Sequence, residues 1–210
     1  VERSRGLGDV YKRQYIWCLL CIIQVSAEAK TKVMLFGDSL MAGYGLTQNH
    51  HLDKILQKKF GDRNITFINA SVSGDTTKGG LERIDWSLGD KPDLIFLCLG
   101  ANDMLRGINP KVTRDNLDMM IRKIKNKNIK IILAGMVAQE SYGKSYAKEF
   151  NSIYPDLSKK HKIKLYPFLL DGVALKPELN LDDGKHPNIK GVEIIAKNIF
   201  PIIQNEIFNK

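Results

Sequence analysis

Apolar runs alternate with longer amphipathic stretches along the chain from residue 30 onward. The apolar runs predict five β-strands, at residues 32–36, 65–69, 93–99, 130–135 and 164–167. The stretches between and after them predict helices near residues 47–60, 78–89, 111–127, 143–160 and 188–208. Strands that are apolar throughout and alternate with helices indicate a parallel sheet covered on both faces. The pattern therefore predicts an α/β fold of three layers, α/β/α, around a doubly wound five-stranded parallel sheet.

The predicted helix at residues 111–127 carries a clear periodic signal. Val112, Leu117, Met120, Ile121 and Ile124 recur at helical spacing, which is typical of a helix with one buried face. The adjacent methionines at positions 119 and 120 are accordingly expected in the core rather than on a binding surface.

Composition limits the classes of function. The 210 residues are 43% hydrophobic and 26% charged, which suits one globular domain and excludes a disordered or fibrous chain. The net charge of +9 comes from lysines interleaved with acidic residues, without a zinc pattern or an aromatic-basic motif, so no nucleic-acid partner is expected. After residue 29 the sequence has one cysteine, Cys98, and no metal-ligand spacing. Cys98 is therefore expected to be an inert core residue.

The first 29 residues differ from the rest of the chain. Residues 4–14, "SRGLGDVYKRQ", resemble the translation of a transposon-end sequencing adapter, so residues 1–14 are interpreted as an artefact outside the fold. Residues 15–29 contain an apolar run too short to span a bilayer, followed by Ala27-Glu28-Ala29, and are interpreted as a truncated signal peptide. An uncleaved N-terminal anchor is the alternative. We expect residues 30–210 to form one exported domain, periplasmic or secreted, with no stable membrane span in its mature form.

Small polar residues follow several of the predicted strands. The first strand is followed by Asp38 and Ser39, the second by a segment that contains Gly74, and the third by Asn102. Because the carboxyl ends of parallel strands meet at one edge of a sheet, these groups are expected to lie near one another. The sequence allows two interpretations of Asp38 and Ser39. Either they cap an ordinary helix, or Ser39 is a nucleophile.

The segment "DDGKHPN" before the last predicted helix adds Asp183 and His186 to this set. Taken singly each residue has a structural explanation, since Gly74 suits a turn, Asn102 suits a helix cap and His186 suits a surface loop. Together they supply a hydroxyl, an acid–imidazole pair and hydrogen-bond donors, which are the parts of an acyl-transfer site. Their coincidence at one sheet edge favours the catalytic interpretation.

The chain resembles the SGNH (GDSL-type) hydrolases in four segments: "FGDSL", "NASVSGDTT", "LGANDMLRG" and "DDGKHPN". The resemblance covers nearly all of the chain after residue 31, and it is strongest to the exported bacterial arylesterase, lysophospholipase and acyl-CoA thioesterase branch. It implies a flavodoxin-like fold, with Ser39, Asp183 and His186 as the catalytic triad. It also implies an oxyanion hole built from the backbone N–H groups of Ser39 and Gly74 and the side chain of Asn102. It implies no metal and no organic cofactor.

The expected substrate is a small-molecule acyl ester or thioester, with lysophospholipid as one candidate. Four apolar residues just beyond strand ends either line an acyl pocket or belong to the ordinary core, namely Met104, Leu105, Ile108 and Met136. A carbohydrate O-acetylesterase is the alternative enzyme, and a non-catalytic binding module is the alternative from another class. Residues 75–80 are expected to form a mobile polar loop, or otherwise the capped start of a helix.

Overall fold

The computed structural model describes residues 30–61 and 63–208. The segments interpreted as adapter and signal peptide, residues 1–29, lie outside the described residues. Five parallel strands form one sheet in the order β2-β1-β3-β4-β5. They are β1 (Thr31–Gly37), β2 (Ile65–Asn69), β3 (Leu94–Cys98), β4 (Lys130–Ala134) and β5 (Lys164–Tyr166). The predicted sheet is confirmed, and since the strand order reverses beside β1, the chain leaves that strand where such sheets bind ligands.

Helices cover both faces of this sheet. The α-helices within the described residues are α1 (Ser39–Ala42), α2 (Leu52–Phe60), α3 (Thr77–Ser87), α4 (Ala101–Leu105), α5 (Pro110–Lys125), α6 (Lys144–His161) and α7 (Ile189–Phe208). Helix α2 packs on α7, whereas α5 packs between α3 and α6. None of these described helices has both the length and the apolar composition needed to cross a bilayer.

Two features of the helices differ from the sequence prediction. The helix expected at residues 47–60 is divided, because a 3₁₀ turn at Gln48–His50 is followed by extended backbone at His51 before α2 begins. Helices α1 and α4 have four and five residues, which is too short for a periodic pattern to reveal. Both follow strands at the sheet edge where the candidate site was predicted.

Helix α5 buries most of its predicted apolar face. Four of the five residues in the periodic set are fully buried, namely Leu117, Met120, Ile121 and Ile124. The prediction is wrong for Val112 and for Met119, which are 47% and 43% exposed. At about 100° per residue, Met119 is turned roughly 100° from Met120 and Val112 roughly 140° from Leu117, so neither lies on the buried face.

Strands β1 and β3 approach each other closely at their carboxyl ends. A Cβ atom on Gly37 would lie 2.7 Å from the carbonyl oxygen of Cys98 and 2.8 Å from the Sδ atom of Met41. Glycine is therefore required for the chain to turn directly at the sheet edge. Cys98 is fully buried, as predicted, and burial holds the pKa of its thiol well above the usual range.

Candidate active site

Ser39 is the first residue of α1, two residues after the end of β1. Asp38 caps this helix, because its Oδ1 atom accepts a hydrogen bond of 3.0 Å from the backbone N–H of Leu40. The two interpretations of this turn, as a helix cap and as the site of a nucleophile, therefore apply to different residues. Asp38 provides the cap, and Ser39 is left half-buried at the sheet edge with its hydroxyl directed to His186.

The three residues of the expected triad form one hydrogen-bonded line. The Oγ atom of Ser39 lies 2.8 Å from Nε2 of His186, and Nδ1 of His186 lies 2.6 Å from Oδ2 of Asp183. Because an ionised carboxylate can only accept a hydrogen bond, Nδ1 carries the imidazole proton and Nε2 is free to accept from the hydroxyl. This is the tautomer that a serine nucleophile requires.

Asp183 is held in its ionised form by its own loop. Its Oδ1 atom accepts from the backbone N–H groups of His186 at 3.0 Å and Lys185 at 2.8 Å, while Oδ2 accepts from the imidazole. The backbone N–H of His186, then that of Lys185 and then the imidazole hydrogen bond lower the pKa of Asp183 to about 2. The neighbouring Asp182 is exposed and has no part in this line of contacts.

The three predicted oxyanion donors come from three strand ends. In the described part of the chain, the backbone N–H groups of Ser39 and Gly74 donate no hydrogen bond within the protein. Gly74 has a φ of +84°, a left-handed conformation that favours glycine. Asn102 lies in α4 and donates from Nδ2 to the carbonyl oxygen of Asp75 over 2.9 Å. An amide nitrogen has two hydrogens, so Asn102 keeps a second donor for a ligand.

Asp38, which precedes Ser39, is buried with one carboxyl oxygen that has no hydrogen-bond partner in the described residues. That oxygen is Oδ2, and the residue is 1% exposed. Burial is the main cause that raises the pKa of Asp38 to about 7, and the negative charges of Asp103 and Asp75 raise it further against the opposing hydrogen bond from Leu40. A carboxyl group that is largely protonated below neutral pH therefore supports the turn that presents Ser39.

A cavity of about 470 Å³ opens beside the Ser39 hydroxyl. Three of the four predicted pocket residues line it, namely Met104, Leu105 and Met136. Ile108 does not line it, which corrects that expectation: Ile108 lies beyond the end of α4, and its carbonyl oxygen accepts a hydrogen bond from Tyr146. The cavity wall is mostly apolar and also contains Asn102 and His186.

Several residues of the cavity were missed by sequence reasoning. They come from the ends of β4 and β5 and from the first residues of α1 and α4, namely Leu40, Ala101, Val137, Gln139, Phe168, Leu170, Ala174 and Leu175. Residues 168–175, which follow β5, have no periodicity and no motif of their own. Only the topology, which brings every strand end to one edge, pointed to this segment.

Tyr44 is a further residue that the motifs did not indicate. Its ring lies against the imidazole of His186, with ring centroids 4.3 Å apart and planes inclined by 34°. The contact restricts the movement of the imidazole ring. Tyr44 is half-exposed and does not line the cavity.

Ser71 and residues 75–80, near the end of β2, have structural roles. The hydroxyl of Ser71 donates to the carbonyl oxygen of Leu35, so it is already occupied. Residues 75–80, expected as a mobile loop, include the start of α3 at Thr77, with the Thr76 hydroxyl accepting from the backbone N–H of Gly79. This arrangement is the capped helix start that the sequence left as the alternative.

Comparison with known proteins agrees with this geometry. The chain matches the GDSL-like lipase/acylhydrolase family over residues 35–194. It is 37% identical over 182 residues to an arylesterase of Vibrio mimicus, covering 85% of this chain and 91% of the relative. It is 32% identical to thioesterase 1/protease 1/lysophospholipase L1 of Escherichia coli, covering 96% of this chain and 99% of the relative.

Solved structures give the same result for the fold. The psychrotrophic esterase EstA from Pseudoalteromonas, in a structure inhibited by monoethylphosphonate, superposes with a TM-score of 0.81 at 33% identity. The superposition covers 86% of this chain and all of the esterase chain.

Proposed function

Because the chain belongs to the GDSL-like lipase/acylhydrolase family, in which it is a serine esterase of the SGNH type, we propose that Ser39, His186 and Asp183 form its catalytic triad. The observation that carries this proposal is the line of hydrogen bonds from Asp183 through His186 to Ser39, which ends at an apolar cavity. The expected reaction is hydrolysis of a carboxylic ester or thioester through an acyl-enzyme.

In the first step, the Ser39 oxygen attacks the carbonyl carbon while Nε2 of His186 takes the hydroxyl proton. The carbonyl oxygen becomes an oxyanion, which the N–H groups of Ser39 and Gly74 and the Asn102 amide stabilise. The bond to the leaving group then breaks, and the imidazolium returns its proton to the alcohol or thiol. The ionised Asp183 stabilises the imidazolium and keeps its orientation.

In the second step, a water molecule replaces the leaving group. His186 takes a proton from the water, the resulting hydroxide attacks the acyl carbon, and the Ser39 oxygen leaves with the proton that His186 returns. The product is a free carboxylic acid, and the enzyme regains its starting state. Every proton in this cycle moves through Nε2 of His186, which already lies 2.8 Å from the serine oxygen.

The cavity supports an acyl chain as the group that the enzyme binds. Its wall contains Met104, Leu105, Met136, Phe168 and Leu170, which suit a hydrocarbon better than a sugar. Lysophospholipid is therefore a candidate substrate beside simple esters and acyl thioesters. We further propose that the protein acts outside the cytoplasm, on the basis of the apolar and small-residue pattern within residues 15–29.

A carbohydrate O-acetylesterase would use the same triad. Sugar rings are commonly bound on exposed aromatic side chains, and Trp86 on α3 is 84% exposed. It does not line the cavity beside Ser39, however. The acyl-ester proposal is therefore better supported.

Covalent labelling tests the nucleophile. A serine-directed phosphonate should modify Ser39 with one label per molecule, as located by peptide mass spectrometry, and Ser39→Ala should abolish both labelling and turnover. Ser71→Ala is the matched control, because that hydroxyl is bonded to a backbone carbonyl, and it should label normally. A label on Ser71 or Ser73 would contradict the assignment.

Substrate profiling tests the acyl class. Turnover of p-nitrophenyl esters from acetyl to long acyl chains should be compared with acyl-CoA and lysophospholipid. We expect kcat/KM to rise beyond the acetyl ester, because each additional buried CH₂ group contributes about 0.8 kcal/mol of binding. Activity confined to acetylated carbohydrate would favour the alternative enzyme.

A further inference from the structure

We propose that Arg83 is a positioning residue for the oxyanion hole, which it holds in shape by joining the strand ends that carry Ser39 and Gly74. The inference rests on the proposed function, since the oxyanion hole belongs to that site. Arg83 lies on α3, outside the triad and outside the wall of the cavity. Its action is therefore indirect, through the backbone segments that its guanidinium contacts.

The guanidinium of Arg83 donates to three different segments at the sheet edge. Nη2 donates to the carbonyl oxygen of Gly37 over 3.0 Å, and Nη1 donates to the carbonyl oxygen of Ala70 over 2.5 Å. Nε lies 2.6 Å from the carboxylate oxygen Oδ2 of Asp75. One planar group therefore ties the end of β1, the end of β2 and the residue after Gly74 to a single point.

Each of these contacts is close to an oxyanion donor. Gly37 is two residues before Ser39, and Asp75 directly follows Gly74. The carbonyl oxygen of Asp75 also accepts from Nδ2 of Asn102, so Asp75 joins Arg83 to the third donor. The contact between Arg83 and Asp75 therefore adds a side-chain link among the three donors to the backbone hydrogen bond of 3.0 Å from Val72 to the carbonyl oxygen of Gly37.

The surroundings make this contact strong. The side chains of Arg83 and Asp75 are 20% and 16% exposed, so solvent screens their charges only partly. The guanidinium also lies 3.9 Å from the ring centroid of Phe36, a fully buried residue of β1. Gly74 itself is exposed and left-handed, and its carbonyl oxygen accepts a further guanidinium hydrogen bond, from Nη2 of Arg106 over 2.8 Å.

The guanidinium is directed to the protein and not to the cavity. Three of its five N–H groups donate within the protein, and the group does not line the cavity beside Ser39. A lysine ammonium is a compact charge that cannot reproduce three donors in one plane. Arg83→Lys therefore keeps the charge but loses the geometry.

The test compares Arg83→Lys with Arg114→Lys. Arg114 is a matched control, because it also donates from a helix to two groups, Asp156 over 3.0 Å and Ser152 over 2.8 Å, which both lie on α6 and do not line the cavity. We expect Arg83→Lys to lower kcat about 10- to 100-fold with KM changed less than about threefold, because a misplacement of about 1 Å can cost about 10²-fold. Arg114→Lys should leave kcat unchanged.

A second variant follows the shared contact. Asp75→Asn should lower kcat in the same direction, and Arg83→Lys with Asp75→Asn should lose no more than Arg83→Lys alone, because both changes break one link. If Arg83→Lys unfolds, Asp75→Asn alone decides the question. An unchanged kcat in a folded Arg83→Lys or Asp75→Asn protein would overturn the proposal. Full turnover in Ser39→Ala would overturn the proposed function as well, so the two failures are distinguishable.

Discussion

The molecule contains two Asp–His pairs with the same hydrogen-bond length and different roles. In one, Nδ1 of His186 lies 2.6 Å from Asp183 in the loop before α7. In the other, Nε2 of His161, the last residue of α6, lies 2.6 Å from Asp118 on α5. The pairs cannot be distinguished by the acid–imidazole contact itself. What distinguishes them is the group on the second imidazole nitrogen and the other partners of the carboxylate.

The surroundings of each carboxylate decide what its histidine can do. Asp183 receives its other hydrogen bonds from backbone N–H groups, and its histidine faces Ser39 beside a cavity. Asp118 is instead surrounded by cations, with Lys160 and Arg122 each 2.7 Å from one of its oxygens. Within the described residues, no hydroxyl is bonded to the free nitrogen of His161. The second pair therefore joins helices, whereas the first has the geometry that the proposed proton transfer requires.

The largest expected effect separates the two histidines. His186→Ala should lower kcat about 10⁴- to 10⁶-fold, because it removes the base that receives the serine proton. His161→Ala should leave kcat unchanged and lower the free energy of unfolding by about 1 kcal/mol, since it removes one hydrogen bond between α5 and α6. Steady-state kinetics and urea unfolding on both variants measure this.

A folded His161→Ala protein that lost as much turnover as His186→Ala would contradict the different roles assigned to the two pairs. The remaining described histidines provide further controls. The Nδ1 atom of His50 is bonded to the Thr47 hydroxyl, and Nε2 of His51 is bonded to the carbonyl oxygen of Leu46. Replacing either should leave the chemistry intact, because neither contacts Ser39.

The next effect concerns the carboxylates. Asp183→Ala should lower kcat about 10²- to 10⁴-fold, less than His186→Ala, because the carboxylate orients and stabilises the imidazolium without taking the proton. Asp118→Ala should leave kcat unchanged. Equal losses for Asp183→Ala and His186→Ala would show that His186 has no function without its partner, and an unaffected Asp183→Ala would contradict the triad.

The sheet, and the residues of the proposed triad that the structure brings within hydrogen-bonding distance, could be predicted from sequence because both depend on local signals. Buried parallel strands are continuous apolar runs, and the first three strands are each followed by a short segment of small polar residues. His161 shows where this reasoning stops, because its partner Asp118 is 43 residues away on another helix and no motif joins them. Only the packing of α5 on α6 brings that pair together.

The cavity was predicted less well than the chemistry for a related reason. Catalytic groups need particular residue types, whereas an acyl pocket needs only apolar surface, which many residues supply. Ile108 and Met104 are equally apolar and only four residues apart, yet Met104 lines the cavity and Ile108 does not. The direction in which the chain leaves α4 decides this, and composition does not encode that direction.

A smaller effect is expected from the pH dependence of the pair formed by Asp118 and His161. Burial alone would raise the pKa of Asp118, but hydrogen bonds from Lys160 and His161, with the charges of Lys160 and Arg122, outweigh it and lower the pKa to about 2. The ionised carboxylate therefore stabilises the fold above about pH 4, and this contribution disappears as the pH falls toward 2. Asp118→Asn should lower the free energy of unfolding by about 2 kcal/mol at pH 7 and by much less near pH 2.5.

Urea unfolding at the two pH values measures this difference. Asp115→Asn is the control on the same helix, because its ion pair with Lys111 is exposed and should contribute little at either pH. A loss for Asp118→Asn that is the same at pH 7 and pH 2.5 would mean that packing, and not the ionised carboxylate, stabilises the contact between α5 and α6.

The smallest expected effect concerns an aromatic ring that one pair has and the other lacks. Tyr44 lies against His186, whereas His161 has no aromatic ring against it in the described part of the chain. A ring pair of this kind contributes about 0.5–1.5 kcal/mol, so Tyr44→Ala should lower kcat about 2- to 12-fold by letting the imidazole leave its line between Ser39 and Asp183. KM should change little, because Tyr44 does not line the cavity. Tyr44→Phe keeps the ring and should keep kcat, so a loss in Tyr44→Phe equal to that in Tyr44→Ala would assign the effect to the hydroxyl and refute the argument from ring packing.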